Sequence, residues 1–183
     1  MKIYIDVGCG QCKDMLDFYQ DNKDFVYYGI DPSQFYLEIW ARLPNINFIN
    51  KAAWVYDGVI KFYQDSSNDP QGSTLIKAKS RENFTETEVE CFDFSEWIKQ
   101  FKNDVVYIDM DVEGAEYGIL AKMIKDKTIK LVDKLIYENH AHKFELKDKE
   151  SMIIKNGAKN IEDKLKELNI DFRHDGKGKD RWE

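Results

Sequence analysis

The sequence predicts a doubly wound α/β domain with a mostly parallel sheet, a single domain over residues 1–183. Three observations carry that prediction. β-rich apolar runs alternate with segments whose apolar residues recur at helical spacing, the early runs close on Gly or Asp-Pro turns, and neither an internal repeat nor an interior linker divides the chain. With 43% hydrophobic and 14% aromatic residues, one sizeable core can be filled.

Ile3, Tyr4, Ile5 and Val7 form the first strand, which ends at Gly8-Cys9-Gly10; Met15, Leu16 and Tyr19 then repeat at helical spacing as far as Asp21-Asn22. Phe25–Ile30 reads as a second strand closing at Asp31-Pro32, with Ser33 placed to cap a helix running to about Ala41. A third strand, Ile46–Ile49, leads into Ala52–Tyr56. The Asp57-Gly58 between that run and Val59–Tyr63 predicts a β-hairpin inserted after strand three. Gln64–Ser73 has loop composition, and its length points to a functional loop. Val89–Phe92 predicts a short strand running into a helix near Trp97. Val105–Ile108 is a buried-strand run entering Asp109, Asp111, Glu113 and Glu116, after which Ile119, Leu120, Met123 and Ile124 mark a helix face. The next strand, from Leu131-Val132 through Leu135–Tyr137, ends in Glu138-Asn139-His140. Ile161, Leu165 and Leu168 give one more helix, and Ile170–Arg173, Gly176–Gly178 and Arg181-Trp182 predict a final hairpin.

The net charge of −7 disfavours nucleic-acid partners, and the basic run Lys122–Lys134 reads as a solvated helix face and loop. No apolar run approaches the length that spans a bilayer, and Lys2 is followed by an alternating strand, not by an uninterrupted apolar stretch. Three cysteines give no disulfide framework. A soluble, cytoplasmic protein is the expectation.

The first turn carries both Cys9-x-x-Cys12 and Gly8-x-Gly10. A Cys-x-x-Cys between strand and helix fits a thiol redox centre, but such a fold needs a proline facing the pair, and Pro32, Pro44 and Pro70 all stand in turn-like contexts. The alternative is a glycine turn beside a bound nucleoside, with the cysteines as small packed residues. A dinucleotide fingerprint wants a third glycine, and Lys13 stands there. Asp31, about twenty residues beyond Gly10, is placed to accept both hydrogen bonds of a ribose diol. Asp6, just before the turn, suits a cationic sulfonium ligand better than a pyrophosphate. Either aspartate alone is equally a solvated strand end; together they favour S-adenosylmethionine.

Four patches together resemble the FkbM-type methyltransferase family: Tyr4–Gly10, Tyr28–Ser33, the Ala52–Leu75 region with its Gly-Ser-Thr-Leu, and above all Ile108–Leu120, "IDMDVEGAEYGIL". The family's last motif reads Lys-Ile-Asp-Val-Glu-Gly-x-Glu, so Asp111, Glu113, Gly114 and Glu116 fall on its fixed positions. The resemblance implies a Rossmann-like class I methyltransferase fold with a seven-stranded sheet whose last strand is antiparallel. It also implies O-methylation of hydroxyls, commonly on sugars or polyketides. Asp6, Gly8, Cys9, Gly10, Asp31, Pro32, Ala53 and Asp109 are the cofactor-binding candidates, and Ser73 and Thr74 are expected to close over cofactor or acceptor.

Asp109 departs from the family, which usually carries Lys at that position. Asp109 and Asp111 share a face if the strand persists, and Glu138, Asn139 and His140 end the neighbouring strand in the same crevice. Asp109, Glu138 and Asn139 are similar to the metal site of catechol-type O-methyltransferases, where Mg²⁺ or Mn²⁺ binds a substrate diol and lowers its pKa. The other reading is a solvated acidic strand end whose carboxylates cap the next helix. Asp111, Glu113 and His140 are the catalytic candidates, His140 as general base or as a packed residue; His142 begins a water-facing loop. Of the aromatics Phe35, Tyr36, Trp40, Trp54, Tyr56 and Tyr63, most are expected in the core or in cross-strand pairs, the others lining an acceptor pocket.

The activity expected is an S-adenosylmethionine-dependent O-methyltransferase acting on a sugar or glycan hydroxyl, with Mg²⁺ or Mn²⁺ as the metal if one assists. A chain without an N-terminal cap is expected to leave the acceptor site open to a large or tethered glycan. The alternatives are a nicotinamide-dependent oxidoreductase and a degenerate methyltransferase domain serving as an interaction module.

Overall fold

A computed structural model gives the fold and describes residues 1–66, 70–77, 83–143 and 149–174, the side chains of 149–156 excepted. In chain order its elements are β1 (Lys2–Val7), α1 (Lys13–Asp21), β2 (Phe25–Ile30), α2 (Leu37–Trp40), β3 (Ile46–Ile49), β4 (Ala52–Trp54), β5 (Gly58–Asp65), β6 (Phe84–Asp93), α3 (Phe94–Trp97), β7 (Val105–Met110), α4 (Glu116–Lys125), β8 (Lys134–Tyr137), α5 (Lys149–Glu167) and β9 (Phe172–His174). Two sheets result.

The main sheet has the order β3-β2-β1-β7-β8-β9, with every neighbouring pair parallel. β1 lies at its centre, and Ile3, Tyr4, Ile5 and Val7 are wholly buried because both faces are covered. One face packs Ile3, Ile5 and Val7 with Phe94, Ile98, Val106, Ile108, Leu120 and Met123. The opposite face packs Tyr4 and Tyr27 with Cys9, Cys12, Met15, Tyr36 and Trp40. Cys9 and Cys12 are therefore core residues. Burial pushes the Cys9 thiol well above its ordinary range, the reverse of an activated thiol.

The expected hairpin is not formed. Asp57-Gly58 does turn the chain, but β4 and β5 do not pair with each other; β6 lies between them in a three-stranded sheet, parallel to β4 and antiparallel to β5. β6 has ten residues where the sequence shows a short strand, and it pairs with β5 over all eight residues from Gly58 to Asp65. That long ladder outweighs the local turn preference. At the far edge β9 adds in parallel to β8, so six strands are described in the main sheet; the expected return strand falls in 175–183, outside the described residues.

Successive connections leave β1 toward β2 on one side and toward β7 on the other, so the strand order reverses at β1. The carboxyl ends of β1, β2 and β7 consequently border one crevice. No helix among the described residues is long and apolar enough to cross a membrane.

Candidate active site

The crevice begins at the turn after β1. Gly8 donates its N–H to the Ile30 carbonyl (2.8 Å), while Asp111 N–H donates to the Val7 carbonyl (2.9 Å), so three strand ends are tied at one point. The approach is so close that a Cβ on Gly8, at φ +85°, would lie 1.8 Å from the Asp111 carbonyl oxygen. Glycine is required there by backbone crowding as well as by conformation.

Asp31 closes the next turn. Its two carboxylate oxygens accept the backbone N–H groups of Gly10 (3.0 Å) and Ser33 (2.8 Å). Burial pushes this carboxyl up to about 6, and those two hydrogen bonds oppose the rise without cancelling it. Each oxygen keeps a further lone pair, and Asp31 lines the cleft. Trp40, stacked flat on Phe48, donates Nε1–H to the Gly10 carbonyl (2.9 Å) and fixes the loop from below.

Asp6 and Asp109 are directly opposed in the parallel register of β1 and β7, and both are buried. Tyr4 donates its hydroxyl to Asp109 Oδ2 (3.1 Å). The described lining of the cleft includes five acidic side chains, Asp6, Asp14, Asp31, Asp109 and Asp111, against one lysine, Lys13. Two buried carboxylates side by side favour a cationic ligand and repel an anionic one.

Beyond β7 the strand stops at Met110, and the chain turns through Glu113 at φ 54° and Gly114 at φ 107°. Asp109 and Asp111 therefore diverge: Asp109 stays in the buried sheet layer, while Asp111 is about half exposed (49%). Glu116, wholly buried at the start of α4, holds the turn by accepting from Val112 N–H (3.0 Å) and Gly114 N–H (2.8 Å). It also takes His140 Nδ1 at 2.8 Å. His140, equally buried, has Glu113 Oε2, Glu138 Oε1 and Asp111 Oδ1 at 3.1, 3.3 and 3.6 Å from Nε2. Burial alone would lower its pKa, but Glu113, Glu116 and Glu138 raise it to about 11. The imidazolium in turn draws Glu138 down to about 2. Desolvation and the neighbouring Glu138 push Asp111 up to about 8, against the pull of His140. Water reaching its exposed half tempers that shift.

All eight cofactor-binding candidates, Asp6, Gly8, Cys9, Gly10, Asp31, Pro32, Ala53 and Asp109, line the cleft, as do Ser73, Thr74 and Asp111. The hydroxyls of Ser73 and Thr74 are both engaged by backbone carbonyls. Ser73 donates to the Pro70 carbonyl (2.7 Å), and Thr74 donates to the Glu113 carbonyl (2.7 Å), which ties the cleft wall to the acidic turn. Glu113 and His140 stand behind Asp111 in a second cluster. Asn139 does not join that cluster: its Oδ1 accepts from Tyr117 Oη–H (2.8 Å) and Ala141 N–H (3.1 Å), and its Nδ2 donates to Glu162 (3.2 Å). The ligand-capable atoms that come together among the described residues are those of Asp111, Glu113 and His140, a different set from Asp109, Glu138 and Asn139.

Sequence reasoning left Gln11, Lys13, Asp14 and Phe62 out of the cleft, and Lys143 out of the acidic cluster, where its Nζ lies 3.3 Å from Glu113 and 3.5 Å from Glu138. Of the aromatics, Tyr36 lines the cleft, Trp40 supports the loop, and Tyr56 is exposed.

The pattern of the methyltransferase FkbM domain matches residues 7–171, which takes in the first turn, Asp31, the acidic turn and His140. The chain belongs to the FkbM methyltransferase family. Within that family the strand-end carboxylates and the Asp111–Glu116 turn are the parts of this chain that the fold brings to one crevice. Comparison with curated proteins and with solved structures finds no match.

Proposed function

We propose that the chain transfers a methyl group from S-adenosylmethionine to a hydroxyl of a sugar or glycan. The observation that carries the reading is the cleft at the strand-order reversal, where buried Asp6, Asp31 and Asp109 converge beside the acidic turn. Asp31 would accept the ribose diol, as the donor geometry at a β2 end favours. Asp6 and Asp109 would face the cationic amino-acid and sulfonium end. The same carboxylates disfavour a pyrophosphate, which argues against the nicotinamide reading, and membership of a methyltransferase family argues in the same direction.

Methyl transfer is an in-line displacement: the acceptor oxygen forms a bond to the methyl carbon, the carbon–sulfur bond breaks, and the hydroxyl proton must leave. The protein supplies proximity, alignment and a place for that proton. Asp111 lines the cleft, and with Glu113 behind it would orient the hydroxyl and favour its deprotonation. His140, enclosed by carboxylates that keep it protonated, suits a positioning part better than that of general base. The acceptor class follows the family resemblance, and we place the reaction in the cytoplasm, where the free, buried Cys9, Cys12 and Cys91 stay reduced.

Calorimetric titration of S-adenosylhomocysteine tests the reading. Micromolar binding that Asp31→Ala weakens at least tenfold is the expected result. Binding of neither S-adenosylhomocysteine nor S-adenosylmethionine would overturn it and leave the interaction-module reading.

A further inference from the structure

His140 has an atom that the fold does not account for. The residue is wholly buried, and among the described residues its Nε2 makes no hydrogen bond. Buried polar atoms ordinarily find a partner. Yet Nε2 is aimed into three carboxylates, Glu113 Oε2 at 3.1 Å, Glu138 Oε1 at 3.3 Å and Asp111 Oδ1 at 3.6 Å, none of which meets it with hydrogen-bond geometry.

The other side of the ring explains the aim. Nδ1 is engaged by Glu116 Oε1 at 2.8 Å, and Glu116 is itself locked by Val112 and Gly114 N–H. A carboxylate on one imidazole nitrogen fixes the tautomer, directs the opposite lone pair and raises its basicity, the arrangement that supports histidines bound to metals. Bonds of roughly 2.1 Å from a common ion place adjacent ligand atoms about 3 Å apart. The separations from Nε2 to its three carboxylates already approach that value, and the ligand atoms of Asp111, Glu113 and His140 all lie within 4.8 Å of one another.

We propose that Asp111, Glu113 and His140, flanked by Glu138, bind one divalent transition-metal ion. A single imidazole with carboxylate oxygens favours Mn²⁺ over Mg²⁺, since nitrogen ligands suit the transition ions. Lys143 Nζ stands at the edge of the same group, 3.3 Å from Glu113 and 3.5 Å from Glu138. A dication takes over the neutralising part of the Nε2 proton. Asp111 also lines the cleft, so an ion held by it would border the proposed acceptor space and would favour loss of a hydroxyl proton there. That use rests on the methyl-transfer reading; the site does not.

The test is Mn²⁺ titration of the purified full chain without cofactor or acceptor, following free Mn²⁺ by electron paramagnetic resonance. One saturable site per chain is expected, weakened at least tenfold by Asp111→Asn and by Glu113→Gln, with Mg²⁺ competing only at tenfold or greater excess. Asp111 is half exposed, so Asp111→Asn should retain the wild-type near-ultraviolet circular dichroism and remain interpretable if Glu113→Gln unfolds. Absence of saturable Mn²⁺ binding by the folded chain overturns the site, as does binding that a folded Asp111→Asn variant leaves unchanged. Parallel titrations of S-adenosylhomocysteine and S-adenosylmethionine separate the two readings: Mn²⁺ bound while neither compound binds upholds the metal site and overturns methyl transfer, and the converse result does the opposite.

Discussion

Lowering the pH from 7 to 5 should weaken cofactor binding through one residue, Asp31. Its carboxyl titrates at about 6 because burial outweighs the hydrogen bonds from Gly10 and Ser33. A ribose diol donates to the ionised form, so binding requires the charge. With a pKa of about 6, the ionised fraction falls roughly tenfold between pH 7 and 5, and affinity should fall by the same factor. The ligand's own groups leave this window clear, with an α-amino pKa of about 8 and an α-carboxyl of about 3.5. Stability runs the other way. A folded-state pKa above the ordinary 3.8 penalises the charged form by about 3 kcal/mol at neutral pH, and that penalty is relieved as the pH falls from 6 to 4. Asp31→Asn removes the buried charge but turns an amide against Gly10 or Ser33 N–H, a loss of about 1–3 kcal/mol, so the two changes nearly offset and the variant should fold. The assay is S-adenosylhomocysteine calorimetry across pH 5–7, with the variant as reference. An affinity that changes less than about threefold over that range, or a tenfold fall that survives in Asp31→Asn, would refute the reasoning.

The remaining predictions concern the frame of the site. Gly8→Ala should destabilise the protein by more than about 3 kcal/mol, read as lost soluble yield or a lowered urea midpoint, because the added Cβ meets the Asp111 carbonyl at a positive φ. Glu116→Gln should cost on the order of 3 kcal/mol in urea unfolding, since it removes the wholly buried carboxylate paired with His140 Nδ1. Cys12, wholly buried and away from the cleft lining, should react with an aromatic disulfide reagent only at the rate of global unfolding, and rapid labelling of Cys12 in the native protein would count against its placement in the core.

Much of the cleft lining was legible because its signals are local. A glycine turn after an apolar run, an aspartate ending the next run and an acidic turn after a third are short patterns, and parallel alternation brings their ends together without further information. The second sheet was not legible. Asp57-Gly58 does specify a turn, but the choice of partner is non-local, and the polar Thr85–Glu90 half of β6, with Glu86, Glu88 and Glu90 alternating, conceals a strand long enough to displace the hairpin. The same limit applies to the acidic cluster. Glu116 stood in the recognised motif, yet its contact with His140 joins the start of α4 to a residue twenty-four positions on, beyond β8, and Lys143 enters through the short helical turn His140–Lys143. Asp109 and Asp111 were expected on one face; the end of β7 at Met110 parts them, and no residue at that point announces the stop.

The cleft's charge bears on turnover as well as on binding. On the proposed reading, the cofactor enters as a sulfonium and leaves as a neutral thioether, so the reaction removes one positive charge from beside the buried Asp6 and Asp109. Their field attracts the substrate form and loses that hold on the product. Attraction at the distances of a lined cleft is of the order of a few kcal/mol in a medium of effective dielectric about 20, before desolvation reduces it. The carboxylates should therefore favour S-adenosylmethionine over S-adenosylhomocysteine, and Asp6→Asn should narrow the ratio of their binding constants. An unchanged ratio would mean that the sulfonium lies away from β1 and β7. Thr74, hydrogen-bonded to the Glu113 carbonyl, ties the acidic turn to this same wall, which on the proposed reading would hold the group meeting the hydroxyl in a fixed relation to the groups holding the methyl donor. Such rigidity is what an in-line displacement needs, because its rate depends on alignment more than on any single acid or base.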